Sequence, residues 1–181
     1  MPADLTDLVV WTIGHSTRSL DEFVSLLTEN DVALIADVRS FPGSRKFPQF
    51  NRESLEKTLP ERGIEYLHLT GLGGRRKVKP DSPHTVWRYE AFRGYADYMD
   101  TDAFQAGVAK LLSVASEKRT AIMCSEAVWW RCHRSMISDY LKAAGAKVIH
   151  IMDHGQIAVH PYTSAASLIN GRLHYGAGDQ A

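Results

Sequence analysis

Short apolar runs alternate along the chain with segments whose apolar residues recur every three or four positions, the pattern of strands interleaved with amphipathic helices. LVVWTIG (8–14) reads as a first strand, and VALIADV (32–38) is nearly all apolar, as in a strand buried on both faces of a parallel sheet. IEYLHL (64–69), TAIMC (120–124) and KVIHIM (147–152) are further strands. Between them, Ser19 and Glu22 have capping-box spacing ahead of a stripe of Leu20, Phe23, Val24 and Leu27. Asn51 is placed to cap a helix carrying Leu55 and Leu59, with Pro60 disturbing its last turn and Gly63 ending it. YEAFRGYADYM and DAFQAGVAKLLSVASEK read as helices after a loop from about Gly71 to Arg88, and Met136, Ile137, Tyr140, Leu141 and Ala144 form the stripe of a last one.

This alternation predicts one α/β domain over residues 1–181, with a mostly parallel sheet of about five strands flanked by helices in Rossmann-like layers. Residues 164–181 stand apart as a candidate peripheral tail. Lysine and arginine together number 21, as do aspartate and glutamate, so the whole molecule offers no field that attracts nucleic acid or membranes, and a basic binding surface must be local. No apolar run approaches the roughly 20 residues of a membrane span, and the N-terminus lacks the basic region and core of a signal peptide. Two cysteines are too few for a disulfide scaffold; the expected location is the cytoplasm, where they are free thiols, ligands or catalytic groups.

In parallel sheets ligands bind beyond the carboxyl ends of strands. The residues there are Gly14-His15-Ser16, Asp37-Val38-Arg39-Ser40, Gly71-Leu72-Gly73-Gly74 and Cys124-Ser125-Glu126. The stretches TIGHS, DVRSFPGSRKFPQFN, YLHLTGLGG, FRGYADYM, CSEAVWWRCHRSMISDYL, VIHIMDHG and HPYT occur in the order found in the DUF488 family, and the chain resembles that family over nearly all of residues 11–163. The resemblance implies a compact α/β fold and supplies no reaction.

Chemistry concentrates in CSEAVWWRCHRS (124–135). Cys124 ends a strand and is either a nucleophile or a small buried core residue. Cys132 and His133 fall on the inward face of the following helix, where the first reads as packing or support and the second as structural or substrate-binding. Amides at that helix start, with Arg131 and Arg134, favour an anion and lower a nearby thiol's pKa. Glu126 is placed as a general acid or base, a hydroxyl ligand, or the partner of an arginine. His15 beside Ser16 either binds substrate and shuttles protons or caps its loop. Arg39 is the expected anion ligand, with Asp37 orienting a loop or a partner arginine, and Ser44 and Arg45 extend the pocket. One of Trp129 and Trp130 stacks on a ligand while the other packs; Trp130 is taken as the ligand contact. GLGGRRKVK (71–79) is an exposed basic loop or a lid drawn down by phosphates.

Several familiar schemes fit poorly. Six residues separate Cys124 from Arg131, one more than in cysteine phosphatases, and SEAVWW has no glycine to turn amides inward. Cys124, Cys132, His133 and His15 are zinc-ligand types without a zinc-site spacing, so no metal ligand is assigned and the cofactor stays open. The leading expectation is an enzyme that binds an anionic, nucleotide-like small molecule, with Cys124 as nucleophile and Glu126 or His15 as acid or base. Ser16, Asp37, Arg39, Arg45, Trp130, Cys132, His133 and Arg134 line the site. A non-catalytic nucleotide or nucleic-acid binding module and a cysteine-based redox or metal-binding module, the redox form linking Cys124 to Cys132, are the alternatives.

Overall fold

A computed structural model describes residues 5–176. Its strands are β1 (Val9–Gly14), β2 (Leu34–Asp37), β3 (Glu65–His68), β4 (Thr120–Cys124), β5 (Lys147–Asp153) and β6 (Gln156–Val159), and they form one sheet in the order β3-β2-β4-β1-β5-β6. The first five are parallel, as the alternating pattern predicts, and β6 adds an antiparallel edge. The chain is thus a mixed α/β domain with helices on both faces. Helices α1 (Leu20–Glu29) and α2 (Arg52–Glu61) cover one face, packing Phe23, Leu27, Leu55 and Leu59 on Ile13, Ile35, Met123 and Ile149. Helices α3 (Glu90–Met99), α4 (Asp102–Glu117) and α5 (Arg134–Ala143) cover the other, packing Tyr95, Phe104, Leu111 and Ile137 against Val10, Ala36, Ile122 and Val148. Neighbouring strand residues point to opposite faces, so burial on both sides explains the unbroken apolar runs.

Local signals are realised unevenly. The Ser19–Glu22 capping box is present, with each side chain taking the other's backbone N–H at 3.1 and 3.4 Å. Asn51 stands at the start of α2, but its side chain accepts the Ser44 N–H at 2.5 Å instead of capping the helix. Pro60 is accommodated inside the last turn of α2, and the chain reverses at Gly63 with φ of 78°. The sequence pattern did not predict β6: it is a short edge strand with Ile157 and Val159 half exposed, joined to β5 through Gly155 at φ of 67°. Nor did it predict the hairpin of β7 (Ser167–Ile169) and β8 (Arg172–His174). The region read as a candidate tail ends its described part on Tyr175, which is buried in the core with its hydroxyl on Asp139 at 2.8 Å. Residues 177–181 lie outside the described residues.

The topology opens a crevice at one place. Strand β4 lies between β2 and β1 in the sheet, yet the chain leaves β1 and β2 toward the α1 and α2 face and leaves β4 toward α5 on the other. Neighbouring strand ends whose connections diverge leave a gap above the sheet. The loops at this rim still meet closely: the His15 N–H donates to the Cys124 carbonyl at 2.9 Å and the Ser16 N–H to the Ser125 carbonyl at 3.0 Å. Ser16 accepts a left-handed backbone (φ 51°) to make that contact. Gly14 has no side chain for a stricter reason: a Cβ there would lie 1.6 Å from the Glu126 carbonyl oxygen. Relief requires moving backbone, so Gly14→Ala is expected to destabilise the protein by about 2 kcal/mol or more. A lowered urea midpoint at unchanged slope measures this, and an unaltered midpoint would mean that the two loops separate freely.

Candidate active site

The crevice is a pocket of about 640 Å³ at the ends of β1, β2 and β4. Its size suits a small ligand more than a polymer. One wall is fixed by Asp37, which is fully buried beneath Arg39. The Asp37 carboxylate takes Arg39 Nε at 2.9 Å and Nη2 at 2.7 Å, and it also accepts the Arg39 backbone N–H and the Tyr66 hydroxyl. The Arg39 carbonyl in turn receives His68 Nε2–H at 2.7 Å. These bonds hold a planar guanidinium against the pocket with its charge matched from below. Asp37 is therefore a support, not a surface that a ligand meets.

The floor is made by the two thiols. Cys124, the last residue of β4, is 2% exposed; Cys132, just before α5, is half buried, and both line the pocket. Their sulfurs lie 2.7 Å apart as free thiols, and Cys124 Sγ also reaches the Glu126 carbonyl at 3.7 Å. They differ sharply in acidity. Burial pushes Cys124 up, and its hydrogen bond to Cys132 keeps its proton in place. Burial opposes ionisation of Cys132 too, but the bond from Cys124, the charge of Arg134 and the Arg134 backbone N–H together lower it to about 7. Cys132 is the sulfur that ionises, and Cys124 is the proton-bearing partner that stabilises it.

Arg134 occupies an unexpected position. The sequence reading made it an anion ligand, but it is 1% exposed and lies behind the pocket. Its Nη2 donates to the Glu126 carbonyl at 3.0 Å and its Nη1 to Thr12 Oγ1 at 3.3 Å, while Nε makes no conventional hydrogen bond. It pairs with no carboxylate among the described residues. The physical reason for the correction is that its helix begins on the buried face, so the side chain runs under the 124–132 loop.

The other expected residues divide between the pocket and its surroundings. His15, Ser16, Arg39, Glu126 and His133 line the pocket with the thiols. His15 donates Nδ1–H to the Ser16 carbonyl at 2.9 Å, stacks on Phe50 at 4.4 Å, and offers Nε2 to Arg39 at 3.4 Å; burial brings it down to about 4. His133 donates Nε2–H to the Val38 carbonyl at 2.7 Å and is likewise lowered to about 4 by burial. Both rings are neutral near pH 7, so neither delivers a proton as a charged acid. Glu126 is exposed at the mouth. Arg45 and Trp130, both expected to touch ligand, lie exposed outside the pocket, and Trp129 instead stacks on His150 at 4.7 Å. Arg45 follows Ser44 into a turn pinned by Asn51, which carries its side chain outward. Arg75 and Arg131 are the exposed guanidinium groups of the lining, with Phe41, Phe47 and Phe92 as its aromatic part. Arg75 belongs to the glycine-rich basic loop; its backbone N–H donates to Ser40 Oγ at 3.1 Å, and its guanidinium lies 5.4 Å from the Phe41 ring centroid. Arg76 is occupied inside that loop, bonding the Gly73 and Thr70 carbonyls and lying 3.7 Å over the Tyr98 ring. Asp97 pins the same loop through the Lys79 N–H and the Ser82 hydroxyl, so the structure gives it the form of a fixed wall.

Among the described residues no group of three or more His, Cys, Asp or Glu side chains is gathered for a metal ion, and no helix is long and apolar enough to cross a membrane. The buried histidines carry a pH consequence. His15 and His133 sit at about 4 and His150 at about 2, each lowered first by burial, whereas unfolded histidine titrates near 6.5. Below about pH 6.5 the unfolded chain therefore binds protons that the native state refuses, and stability falls as pH falls. The urea midpoint is expected to drop steadily from about pH 7 to 5; a flat profile would mean that these rings are solvated.

No curated protein and no solved structure matches the chain significantly. A family model described as domain of unknown function DUF488 matches residues 19–141, which span β2 to β4, the thiol pair and nearly all of α5. The thiol floor, the Asp37–Arg39 wall and the basic 71–76 loop all fall inside that match, and the chain belongs to the DUF488 family.

Proposed function

We propose that the protein is an enzyme acting on an anionic small molecule by thiol chemistry, with Cys132 as the nucleophile. The observation that carries this reading is the sulfur pair at the pocket floor, two sulfurs 2.7 Å apart with the buried Arg134 guanidinium beside them, an arrangement that favours the thiolate of Cys132. A thiolate is the reactive form of cysteine, and a midpoint near 7 combines a large thiolate fraction with good nucleophilicity. Cys132 is favoured over Cys124, because burial and its bond to Cys132 hold the Cys124 proton, whereas that bond and Arg134 lower Cys132.

The rim supplies recognition. Arg75 and Arg131 are exposed and pair with no carboxylate among the described residues, whereas the Arg39 charge is already matched by Asp37. An anionic group fits between the first two, steered by their field, and Phe41, Phe47 and Phe92 suit a flat or apolar portion such as a base. Glu126 at the mouth is the remaining acid or base, placed to take a proton from an attacking group or return one to a leaving group. The thiols end in an enclosed floor, which favours a small molecule over a polynucleotide.

Charged and neutral alkylating probes test this reading without a known substrate. Cys132 is expected to react with iodoacetate about tenfold faster, relative to iodoacetamide, than a free thiol does, because the rim attracts the carboxylate. The preference should disappear in an Arg75→Ala, Arg131→Ala double variant and shrink in high salt, with the labelled site read by peptide mass spectrometry. Alkylation confined to Cys124, or no preference for the anionic probe, removes the proposed chemistry or the proposed substrate charge respectively.

A further inference from the structure

Behind the pocket a buried line of polar groups runs from Arg134 to the C-terminal segment. Thr12 Oγ1 lies 2.5 Å from His150 Nδ1, His150 Nε2 lies 2.8 Å from His160 Nδ1, and His160 Nε2 lies 2.8 Å from Asp139 Oδ1. Thr12, His150, His160 and Asp139 are each at most 1% exposed. Asp139 also accepts the Thr163 N–H at 2.9 Å, the Thr163 hydroxyl at 2.6 Å and the Tyr175 hydroxyl at 2.8 Å. Resting on the reading of Cys132 as the site's thiolate, we propose that Asp139 is a positioning residue that acts through His160, His150 and Thr12 to hold Arg134 against Cys132.

The direction of the line follows from what each group can do. A carboxylate only accepts, so His160 donates Nε2–H to Asp139 and presents Nδ1 as an acceptor. His150 then donates Nε2–H to His160 and presents Nδ1 to the Thr12 hydroxyl. Having given its proton to His150, Thr12 offers a lone pair to Arg134 Nη1 at 3.3 Å. Every donor and acceptor of the line is used once in this arrangement, and both rings carry hydrogen on Nε2. Burial is the largest cause bringing His150 down to about 2, which agrees with a neutral ring. Trp129 fixes the ring planes, stacked on His150 at 4.7 Å and edge-on to His160 at 4.9 Å. Arg134 from α5, Cys124 from β4 and Tyr95 from α3 interact with Cys132, and His15, Arg39, Arg75, Glu126, Arg131 and His133 line the same pocket; of these Arg134 is the one bonded to the buried line. Turning Arg134 is therefore the route by which a change at Asp139 reaches the thiol.

The test uses the full chain. Nitrogen-15 NMR is expected to find His150 and His160 as neutral Nε2–H tautomers at pH 7, and iodoacetamide alkylation of Cys132 to have its midpoint near pH 7. Thr12→Val and Asp139→Asn should each raise that midpoint by about one unit, roughly a tenfold loss of labelling rate at pH 6. Thr12→Ser, which keeps the hydroxyl, should leave it in place. Thr12→Val changes an oxygen for a methyl at nearly constant volume and decides the matter alone if the Asp139 variant does not fold. An unchanged midpoint in Thr12→Val, an equal shift in Thr12→Ser, or a doubly protonated His160 overturns the line while leaving a reactive Cys132 intact. A Cys132 in the parent chain that titrates like a free thiol overturns the line and the nucleophile reading together.

Discussion

A guanidinium withdrawn from water with no carboxylate beside it constrains the whole rear of the pocket. Arg134 is 1% exposed and is met by two carbonyls, one hydroxyl and the Cys132 sulfur. An uncompensated buried charge costs about 3–5 kcal/mol, so neutral dipoles alone are a poor environment for it. On the proposed reading, an ionised Cys132 supplies the compensating negative charge, since Arg134 hydrogen-bonds its sulfur. Seen from the sulfur, Arg134 then stabilises the thiolate; seen from the arginine, the thiolate makes burial tolerable. Arg134 lowers both thiols, and their mutual hydrogen bond sets them apart, holding the proton on Cys124 and favouring ionised Cys132.

The fold delivers these groups through the way the chain crosses its own sheet. Because β4 is flanked by strands whose connections leave on the opposite face, its terminal Cys124 faces a gap and the following loop must bridge that gap before α5 begins. Gly14 lets the β1 and β4 ends approach until backbone touches backbone. On the other side Gly74 lets the His133 ring approach, since an added Cβ would fall 2.5 Å from His133 Nδ1. The thiols are thereby framed by a main-chain contact on one side and, on the other, by a ring held to the Val38 carbonyl.

Much of this was legible in the amino-acid sequence. Strand and helix periodicity predicted the class and the five parallel strand segments along the chain, and the strand-end rule led to His15, Arg39, Cys124 and Glu126, which line one pocket. What could not be read was direction. Arg134 follows Cys132 and His133, and nothing in that local pattern says whether its guanidinium reaches solvent or runs beneath a loop to Thr12. Which thiol ionises depends on that same choice, so Cys124 was named before Cys132. Asp139 gave no local signal, because its partners lie at Thr163, His160 and Tyr175 and meet it only when the C-terminal segment folds back. Strand β6 did carry a signal, Gly155 between two β-rich runs, but its apolar residues are half exposed and too few for a pattern.

The arginines of the pocket illustrate how position divides their work. Arg39 is matched by Asp37 and gives the wall its shape; its charge is largely answered before any ligand arrives. On the proposed reading Arg134 is matched by the Cys132 thiolate and governs its reactivity without meeting solvent. Arg75 and Arg131 stand at the mouth, where water screens them and an incoming anion meets them first. With both histidines of the lining kept neutral by burial, the floor adds no further positive charge to hold an anion on the sulfur itself. On the proposed reading, an anionic substrate is therefore anchored at the rim and presents another, electrophilic part to Cys132. Binding and bond making then depend on different arginines, so a change in substrate charge can be accommodated at Arg75 or Arg131 without disturbing the acidity of the thiol.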